Sequence, residues 1–376
     1  MIDLPAQHRA IADEVLPRVL ELVAAQTFIL GSSVLDFERT LSGLVGTPHA
    51  VGVASGTDAL VLSLRALGVG PGNLVVVPSF GFVASAEAVR LVGARPVFAD
   101  VRDFLLDAVS VEACLGSLTR GSDGLFRDVS GGTARAILPV HLFGECVPMR
   151  HLTELAKAYG LDIVEDAAQA ILATDEGRLA GSMGVLGALS FFPSKNLGAW
   201  GDGGAVVGSS DALLRRVRIL RAHGLTSEGI SEVGTNSRLD ALQAVVLEVK
   251  SKHLTEWTLA RAVVAERYRI ALAPLAEHVR LPPAPRANCR HVYNQFVVRV
   301  GNPAALASHL AARGVETRRY YPRTLPAEPA FAPFARGQRF VGAEDAARSS
   351  LGLPMFAELT HDQQDYVVDG VRAFFE

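Results

Sequence analysis

The hydrophobic pattern divides the chain into two parts. Over the first two-thirds, short apolar runs alternate with stretches of helical periodicity such as Asp58–Leu67 and Met149–Tyr159. The apolar runs predict seven strands, at His49–Val53, Leu74–Val77, Pro96–Ala99, Ala136–Val140, Asp162–Glu165, Ala188–Phe191 and Gly204–Val207. Buried strands separated by helices indicate an α/β fold with a mostly parallel seven-stranded sheet, which helices cover on both faces.

A different pattern follows in the last third. The amphipathic segment Ser237–Leu272 predicts helices that lead out of the core and end before Pro274. The elements predicted beyond it are strands at His291–Val300 and Val315–Tyr321 and helices at Pro303–Arg313 and Thr360–Phe375. We therefore expect a large domain over residues 1–250, including an N-terminal helix, and a connecting helix with a small C-terminal α+β domain over residues 251–376.

Charge and hydropathy exclude several classes of protein. The 376 residues have a formal net charge of −3 and no basic block, which argues against nucleic acid or an anionic membrane as the main partner. The most hydrophobic run, Leu74–Val92, is interrupted by Pro78, Glu87 and Arg90, so a buried strand and helix explain it better than a membrane span. The start, MIDLPAQHRA, lacks the features of a signal peptide, and we expect a cytoplasmic protein.

Cysteine and lysine are both scarce. Cys114, Cys146 and Cys289 lie far apart and show no CxxC or histidine-rich spacing, so neither a metal site nor a disulfide framework is predicted. The four lysines of the chain are Lys157, Lys195, Lys250 and Lys252. Arginine supplies the remaining positive charge, so a lysine inside a motif is a rare residue here.

The first candidate site is the turn Val53–Leu60, VASGTDAL, which joins a predicted strand to a predicted helix. Small polar residues at a helix N-terminus leave backbone N–H groups that favour an anion such as phosphate. The same pattern is typical of an ordinary helix cap formed by Ser55 or Thr57. These residues leave both interpretations open.

The second candidate is Ile163–Gln169, IVEDAAQ, in which a predicted strand ends in acidic residues. A buried carboxylate at Asp166 needs a cationic partner. A protonated pyridine nitrogen would be such a partner, and the carboxylate would make that cofactor a better electron sink. The alternative is that Asp166 caps a helix.

The third candidate is Lys195, in the segment Leu189–Gly204, LSFFPSKNLGAWGDGG. It lies between an aromatic-rich strand end and a glycine-rich loop, and no other charge occurs between Gly187 and Asp202. A lysine that is partly desolvated in such a place has a lowered pKa and can form an imine. The alternative is a surface lysine in a loop.

The motifs occur in the order SGTDAL, VPSFGFVAS, PVHLFG, VEDAAQA, SFFPSKNLGAWGDGGAVV and GTNSRLDALQA. In this order the sequence resembles the DegT/DnrJ/EryC1/StrS family of sugar aminotransferases, over nearly the whole chain. The resemblance implies pyridoxal 5′-phosphate (PLP) as cofactor and the aspartate-aminotransferase-like fold, PLP fold type I. It implies a homodimer whose active sites are shared between subunits.

The resemblance also implies a role for each candidate residue. Lys195 would hold the cofactor as a Schiff base and act as its general acid and base. Asp166 would pair with the pyridine nitrogen, Gln169 would contact the 3′-oxygen of the ring, and Phe82 would stack on the ring. The residues that would bind the cofactor phosphate are Gly56, Thr57, Ser190 and, from the neighbouring subunit, Asn236.

The reaction implied is transamination of a nucleotide-linked keto-deoxysugar, with dTDP as the nucleotide and L-glutamate as the amino donor, for amino-sugar and antibiotic biosynthesis. The segment GTNSRLD resembles the corresponding segment of family members that aminate C3 more than that of members that aminate C4. The chain departs from the family at Gly81, where threonine is frequent, and at Tyr320–Pro322, where His-Tyr-Pro is frequent. These positions line the substrate side in the family, so they leave the sugar less defined than the cofactor.

Three other functions compete with this one. Family relatives that dehydrate a sugar replace the Schiff-base lysine with histidine, and Lys195 argues against them. A regulator that binds PLP or sugar without catalysis would not need the complete set of Lys195, Asp166 and Gln169. A nicotinamide dehydrogenase would need GxGxxG after the first strand, and the turn that begins at Ser55 does not supply it.

Overall fold

The computed structural model describes residues 3–335 and 337–376. Its α-helices are α1 (Leu4–Ala25), α2 (Ser32–Val45), α3 (Gly56–Ala66), α4 (Ala84–Leu91), α5 (Ala108–Gly116), α6 (Met149–Tyr159), α7 (Asp211–Leu220), α8 (Ala241–Leu272), α9 (Pro303–Ala312), α10 (Val341–Ser349) and α11 (His361–Phe375). Its strands are β1 (His49–Val53), β2 (Asn73–Pro78), β3 (Arg95–Ala99), β4 (Val101–Arg102), β5 (Leu105–Leu106), β6 (Thr119–Arg120), β7 (Phe126–Arg127), β8 (Thr133–Ile137), β9 (Asp162–Asp166), β10 (Thr174–Asp175), β11 (Arg178–Leu179), β12 (Leu186–Ser190), β13 (Gly204–Gly208), β14 (Leu225–Thr226), β15 (Gly229–Ile230), β16 (Val279–Arg280), β17 (Phe296–Val300) and β18 (Ser350–Leu353).

The central sheet contains all seven predicted strands, with ends shifted by a few residues. They follow one another in the order β1-β13-β12-β9-β8-β2-β3, and the short strands β6 and β7 extend the sheet beside β8. Neighbours in this order pair in parallel except at β13, which is antiparallel to both β1 and β12. The predicted α/β fold with a mostly parallel sheet is confirmed.

Both faces of the sheet are buried, which explains why its strands read as continuous apolar runs. Val206 packs into a core shared with α3 and α7. Its neighbours Ala205 and Val207 point to the opposite face and pack into a second core with α2 and α8. Successive side chains of one strand therefore alternate between two cores.

The segment predicted as connecting helices is one helix, α8, which runs for 32 residues. Its first half packs against α1 and α2, and its second half packs against α11. The proposed domain boundary at residue 250 falls inside this helix and stays a prediction. Neither α8 nor any other helix of the described residues is apolar enough over a sufficient length to cross a membrane.

The C-terminal part has a core of its own, built on the antiparallel sheet β16-β17-β18 with α9 and α11. The prediction of a strand at Val315–Tyr321 is wrong, because this segment makes only a single bridge, from Arg318 to Gly352. The ring of Tyr320 covers Gly352, where a Cβ would lie 2.8 Å from ring carbons. Pro322 follows and has no N–H to donate, so the ladder does not continue.

Candidate active site

The candidate residues meet at one edge of the central sheet. Because β1, β2, β9 and β12 run in the same direction, their carboxyl ends lie at that edge. Gly56 follows β1, Phe82 follows β2, Asp166 ends β9 and Lys195 follows β12. Residues that are distant in sequence are therefore brought together by the topology of the sheet.

Asp166 is 6% exposed, and its backbone N–H and carbonyl both pair with the segment after β8. Its N–H donates to the Pro139 carbonyl (2.9 Å), and its carbonyl accepts from the His141 N–H (3.0 Å). Burial raises the pKa of the Asp166 carboxyl, and an N–H from Ala168 (3.1 Å) and the positive charge of Lys195 oppose that rise. Residues 167–173 form turns, so the alternative that Asp166 caps a helix is wrong.

Lys195 lies in the loop between β12 and β13, where its backbone N–H donates to the Phe192 carbonyl (2.8 Å). Burial lowers the pKa of its amine to about 8, and the carboxylate of Asp166 opposes this fall. An amine with this pKa is partly unprotonated near neutral pH and can act as a nucleophile. Because the side chain is partly buried, the structure argues against the alternative of an exposed surface lysine.

The N-terminus of α3 lies against the end of β12. Ser55 caps the helix, because its hydroxyl oxygen accepts from the Asp58 N–H (3.1 Å). A Cβ placed on Gly56 would lie 2.6 Å from the Cβ of Ser190, so helix and strand are in direct contact. No described residue accepts from the N–H groups of Gly56 and Thr57. The turn thus forms a helix cap and still presents the free donors that an anion needs.

Gln169 is held at both ends of its amide. Its Oε1 accepts from the Phe143 N–H (2.7 Å), and its Nε2 donates to the hydroxyl of Tyr321 (3.3 Å). Phe82 is 53% exposed, and its ring centre lies 6.3 Å from that of Tyr321. The sequence interpretation missed Tyr321 and Phe143 as partners of Gln169. The only signal was the Tyr-Tyr-Pro run that departs from the family pattern.

A fully buried pair, His141 and Glu165, was also missed. The Val147 N–H donates to Nδ1 of His141 (3.1 Å), so the ring proton is assigned to Nε2, which donates to Glu165 (2.8 Å). The Glu165 carboxylate also accepts N–H groups from Gly181 (2.8 Å) and Met183 (2.6 Å). This network fixes the strand end next to Asp166. Its sequence signal was a histidine and a glutamate at the ends of neighbouring predicted strands.

Asn236 is exposed and precedes α8. It makes an isolated bridge with Ala222. The next residue, Ser237, accepts a hydrogen bond at its hydroxyl from the Ala54 N–H (3.3 Å), immediately before the α3 turn. Asn236 therefore lies next in sequence to a residue that contacts the start of the α3 turn in the same chain. Its contact with the phosphate across a subunit interface stays a prediction.

The chain matches the DegT/DnrJ/EryC1/StrS aminotransferase family over residues 9–372. It belongs to this family. A relative from Acidithiobacillus ferrooxidans, named UDP-N-acetyl-3-dehydro-α-D-glucosamine 3-aminotransferase, is 41% identical over 99% of this chain and 96% of its own length. A Streptomyces venezuelae relative, named dTDP-3-amino-3,4,6-trideoxy-α-D-glucose transaminase, is 40% identical over 100% of this chain and 96% of its own length.

Solved structures of aminotransferases have the same fold. The crystal structure of S. venezuelae DesV in complex with a ketimine intermediate superimposes with a TM-score of 0.91, at 38% identity over 100% of this chain and 97% of that chain. The predicted family, PLP fold type I and aminotransferase activity are confirmed, and PLP is the cofactor. The site fits this cofactor, because it offers free N–H groups for a phosphate, a buried carboxylate for a pyridine nitrogen and an amine for an aldehyde.

Proposed function

We propose that this aminotransferase moves an amino group from L-glutamate to the keto carbon of a nucleotide-linked deoxysugar, with dTDP as the nucleotide. C3 is the favoured carbon and C4 the alternative, and the product enters amino-sugar and natural-product biosynthesis. The observation that carries the proposal is the position of Lys195 and Asp166 together at the carboxyl edge of the sheet, where the charge of each affects the pKa of the other.

Each residue at this edge has a defined task. When bound, PLP supplies an electron sink for the carbon that loses its proton. Lys195 would hold the cofactor through its amine, and once released the same amine would accept and return that proton. The carboxylate of Asp166 would hold a proton on the pyridine nitrogen. The amide of Gln169, which Phe143 and Tyr321 hold at its two ends, would contact the ring oxygen, and Phe82 would cover the ring.

The phosphate is bound by the free N–H groups of Gly56 and Thr57 and by the hydroxyl of Ser190. The helix dipole of α3 favours the negative charge at that point. The partner subunit's Asn236 completes this set in a homodimer. Support for the dimer comes from apolar side chains that are exposed close to these elements, including Phe192 (52%) and Val233 (82%). Such side chains would lose their contact with water if a second subunit covered them.

Two observations favour a nucleotide-linked sugar that is aminated at C3. Both named relatives have C3 of the sugar in their names, one with UDP and the other with dTDP. The resemblance of the GTNSRLD segment, which begins at Gly234, to family members that aminate C3 also favours C3. The amino donor follows from the resemblance to the family.

The test begins with an absorption spectrum of the purified protein supplied with PLP. We expect a visible band that L-glutamate removes as the cofactor takes up the amino group. The aminated protein is then offered dTDP- and UDP-linked 3-keto and 4-keto sugars, and NMR of the product gives the aminated carbon. A bound cofactor that no amino donor alters would support the regulator instead, and turnover of a 4-keto sugar alone would overturn C3.

A further inference from the structure

Two side chains of α8 hold the loop that carries Lys195. The Oε1 atom of Gln243 accepts from the Trp200 N–H (2.8 Å). The ammonium of Lys250 donates to the Gly198 carbonyl (2.8 Å). Gln243 and Lys250 are separated by about two helical turns and so lie on one face of α8. Both contacts fall within the few residues that follow Lys195.

The loop is closed tightly around Lys195. A Cβ placed on Gly198 would lie 2.2 Å from the carbonyl oxygen of Pro193, so the two backbone segments that flank Lys195 are in contact. The Ala199 N–H donates to the Phe191 carbonyl (2.7 Å), which closes the base of the loop. On the other side, the Asn196 amide donates to the Val292 carbonyl (2.9 Å). A displacement of the Gly198 carbonyl would therefore displace the backbone of Lys195.

Lys250 is an unusual residue for this position, since it is 3% exposed. Besides the Gly198 carbonyl, the ammonium donates to Oε1 of Gln7 in α1 (2.9 Å). Both acceptors are neutral oxygen atoms. Burial lowers the pKa of Lys250 to about 8, and the charge of Glu358 opposes this fall. An apolar side chain would fill the same space without the cost of burying an ammonium. The buried ammonium of Lys250 therefore carries a desolvation cost.

We infer that Lys250 is a positioning residue for the reaction, which fixes the Gly198 carbonyl and through it the amine of Lys195. The inference rests on the proposed role of Lys195 as the Schiff-base residue and proton carrier. Gln7 orients the ammonium from the other side, so the N-terminal helix α1 becomes part of the anchor. Loss of the anchor should impair proton transfer by Lys195 more than substrate binding, because proton transfer depends on orientation.

Amide hydrogen exchange in the apo protein tests the anchor directly. The N–H groups of Lys195, Ala199 and Trp200 are hydrogen-bonded, and their exchange therefore reports opening of the loop. In Lys250→Met we expect these three amides to exchange at least about tenfold faster, the scale for losing a hydrogen bond from a charged group. Amides of β9 and β13 should keep their rates. Lys252→Met is the matched control, because it removes an exposed lysine two residues further along α8.

Lys250→Gln provides a second variant in case Lys250→Met does not fold. Its amide ends about one bond short of the ammonium and should lose the Gly198 contact while staying polar. With PLP bound, both variants should lower kcat about tenfold or more and leave KM for the sugar within about twofold. Unchanged exchange at the three amides, or equal acceleration across the whole sheet, would overturn the inference. The exchange experiment uses the apo protein, so its result does not depend on the cofactor. Failure of the proposed function would appear in a different measurement, as a cofactor absorption band that glutamate does not change.

Discussion

Gly56 and Ser190 are in such close contact that a Cβ on Gly56 would lie 2.6 Å from the Cβ of Ser190. The contact joins the first residue of α3 to the last residue of β12. It brings the free N–H groups of the helix next to a hydroxyl, at the place where the cofactor phosphate is proposed to bind. Only glycine allows this approach, because any other side chain would force the helix away from the strand.

Gly56→Ala should therefore weaken cofactor binding. Inserting a methyl group into a packed contact costs about 1–3 kcal/mol, and here the strain would be relieved by displacement of the α3 N-terminus. We expect the Kd for PLP, measured by titration of the apo protein, to rise about tenfold or more.

Gly43→Ala is the matched control, because a Cβ on Gly43 would meet nothing within 4 Å. Its affinity for PLP should equal that of the wild type. Equal affinities for Gly56→Ala and the wild type would place the phosphate elsewhere.

Asp166→Asn should retain the fold and lose activity. Without the carboxylate, the pyridine nitrogen stays largely unprotonated and the electron sink is weaker. The rate of amino transfer should fall at least about a hundredfold, the usual scale for removing such a group. Asp162→Asn changes a carboxylate at the opposite end of the same strand and should stay within a few-fold of wild type. A similarly small loss in Asp166→Asn would show that the carboxylate is not used.

The buried amine of Lys195 should make stability depend on pH. Its pKa is about 8 in the folded apo protein and 10.5 in the unfolded chain. Between these values the unfolded chain binds a proton that the native state has lost, so this group makes the free energy of unfolding rise with pH.

Urea denaturation of apo wild type and Lys195→Met should reveal this contribution. The unfolding free energy of the wild type minus that of Lys195→Met should increase by about 2 kcal/mol from pH 8 to pH 10. Lys157→Met removes an exposed lysine and controls for a general charge effect. A constant difference between wild type and Lys195→Met would mean that the amine is well solvated.

The parts of the fold that local pattern determines could be predicted from the sequence. Strands buried on both faces are continuous apolar runs, and the seven strands of the sheet were found for that reason. The segment at Val315–Tyr321 contains the β-branched and aromatic residues that favour strands, together with three charged residues, and it forms no strand. Its pairing stops after the bridge from Arg318 to Gly352, where the ring of Tyr320 packs on Gly352 and Pro322 follows without an N–H, and the contact with Gly352 joins residues far apart in the chain.

The residues of the site likewise fall into those that the sequence reveals and those that only the tertiary structure reveals. Lys195 and Asp166 stand out because a rare lysine and an acidic strand end are visible in the sequence itself. Tyr321 could not be assigned to Gln169, since 152 residues separate them and no periodicity links them. The anchor from Lys250 to Gly198 was invisible for the same reason, because a lysine inside a helix does not reveal which loop its ammonium reaches.

The last prediction tests whether the site is shared between subunits. Lys195→Ala should abolish catalysis, and Asn236→Ala should weaken phosphate binding so that dilute PLP does not saturate the protein. If Asn236 acts across a two-fold interface, a mixed dimer of these chains has one site with both defects and one intact site.

Random exchange makes half of the dimers mixed, and one of their two sites is intact. At limiting PLP, activity should therefore recover to roughly a quarter of the wild-type value, as the symmetry of a closed dimer requires. If Asn236 instead serves the site of its own chain, beside the Ala54–Ser237 contact, each site keeps one defect and mixing restores nothing. Subunit exchange must be shown independently, for example by mass spectrometry of differently tagged chains. Demonstrated exchange without recovery would exclude Asn236 from the partner's site.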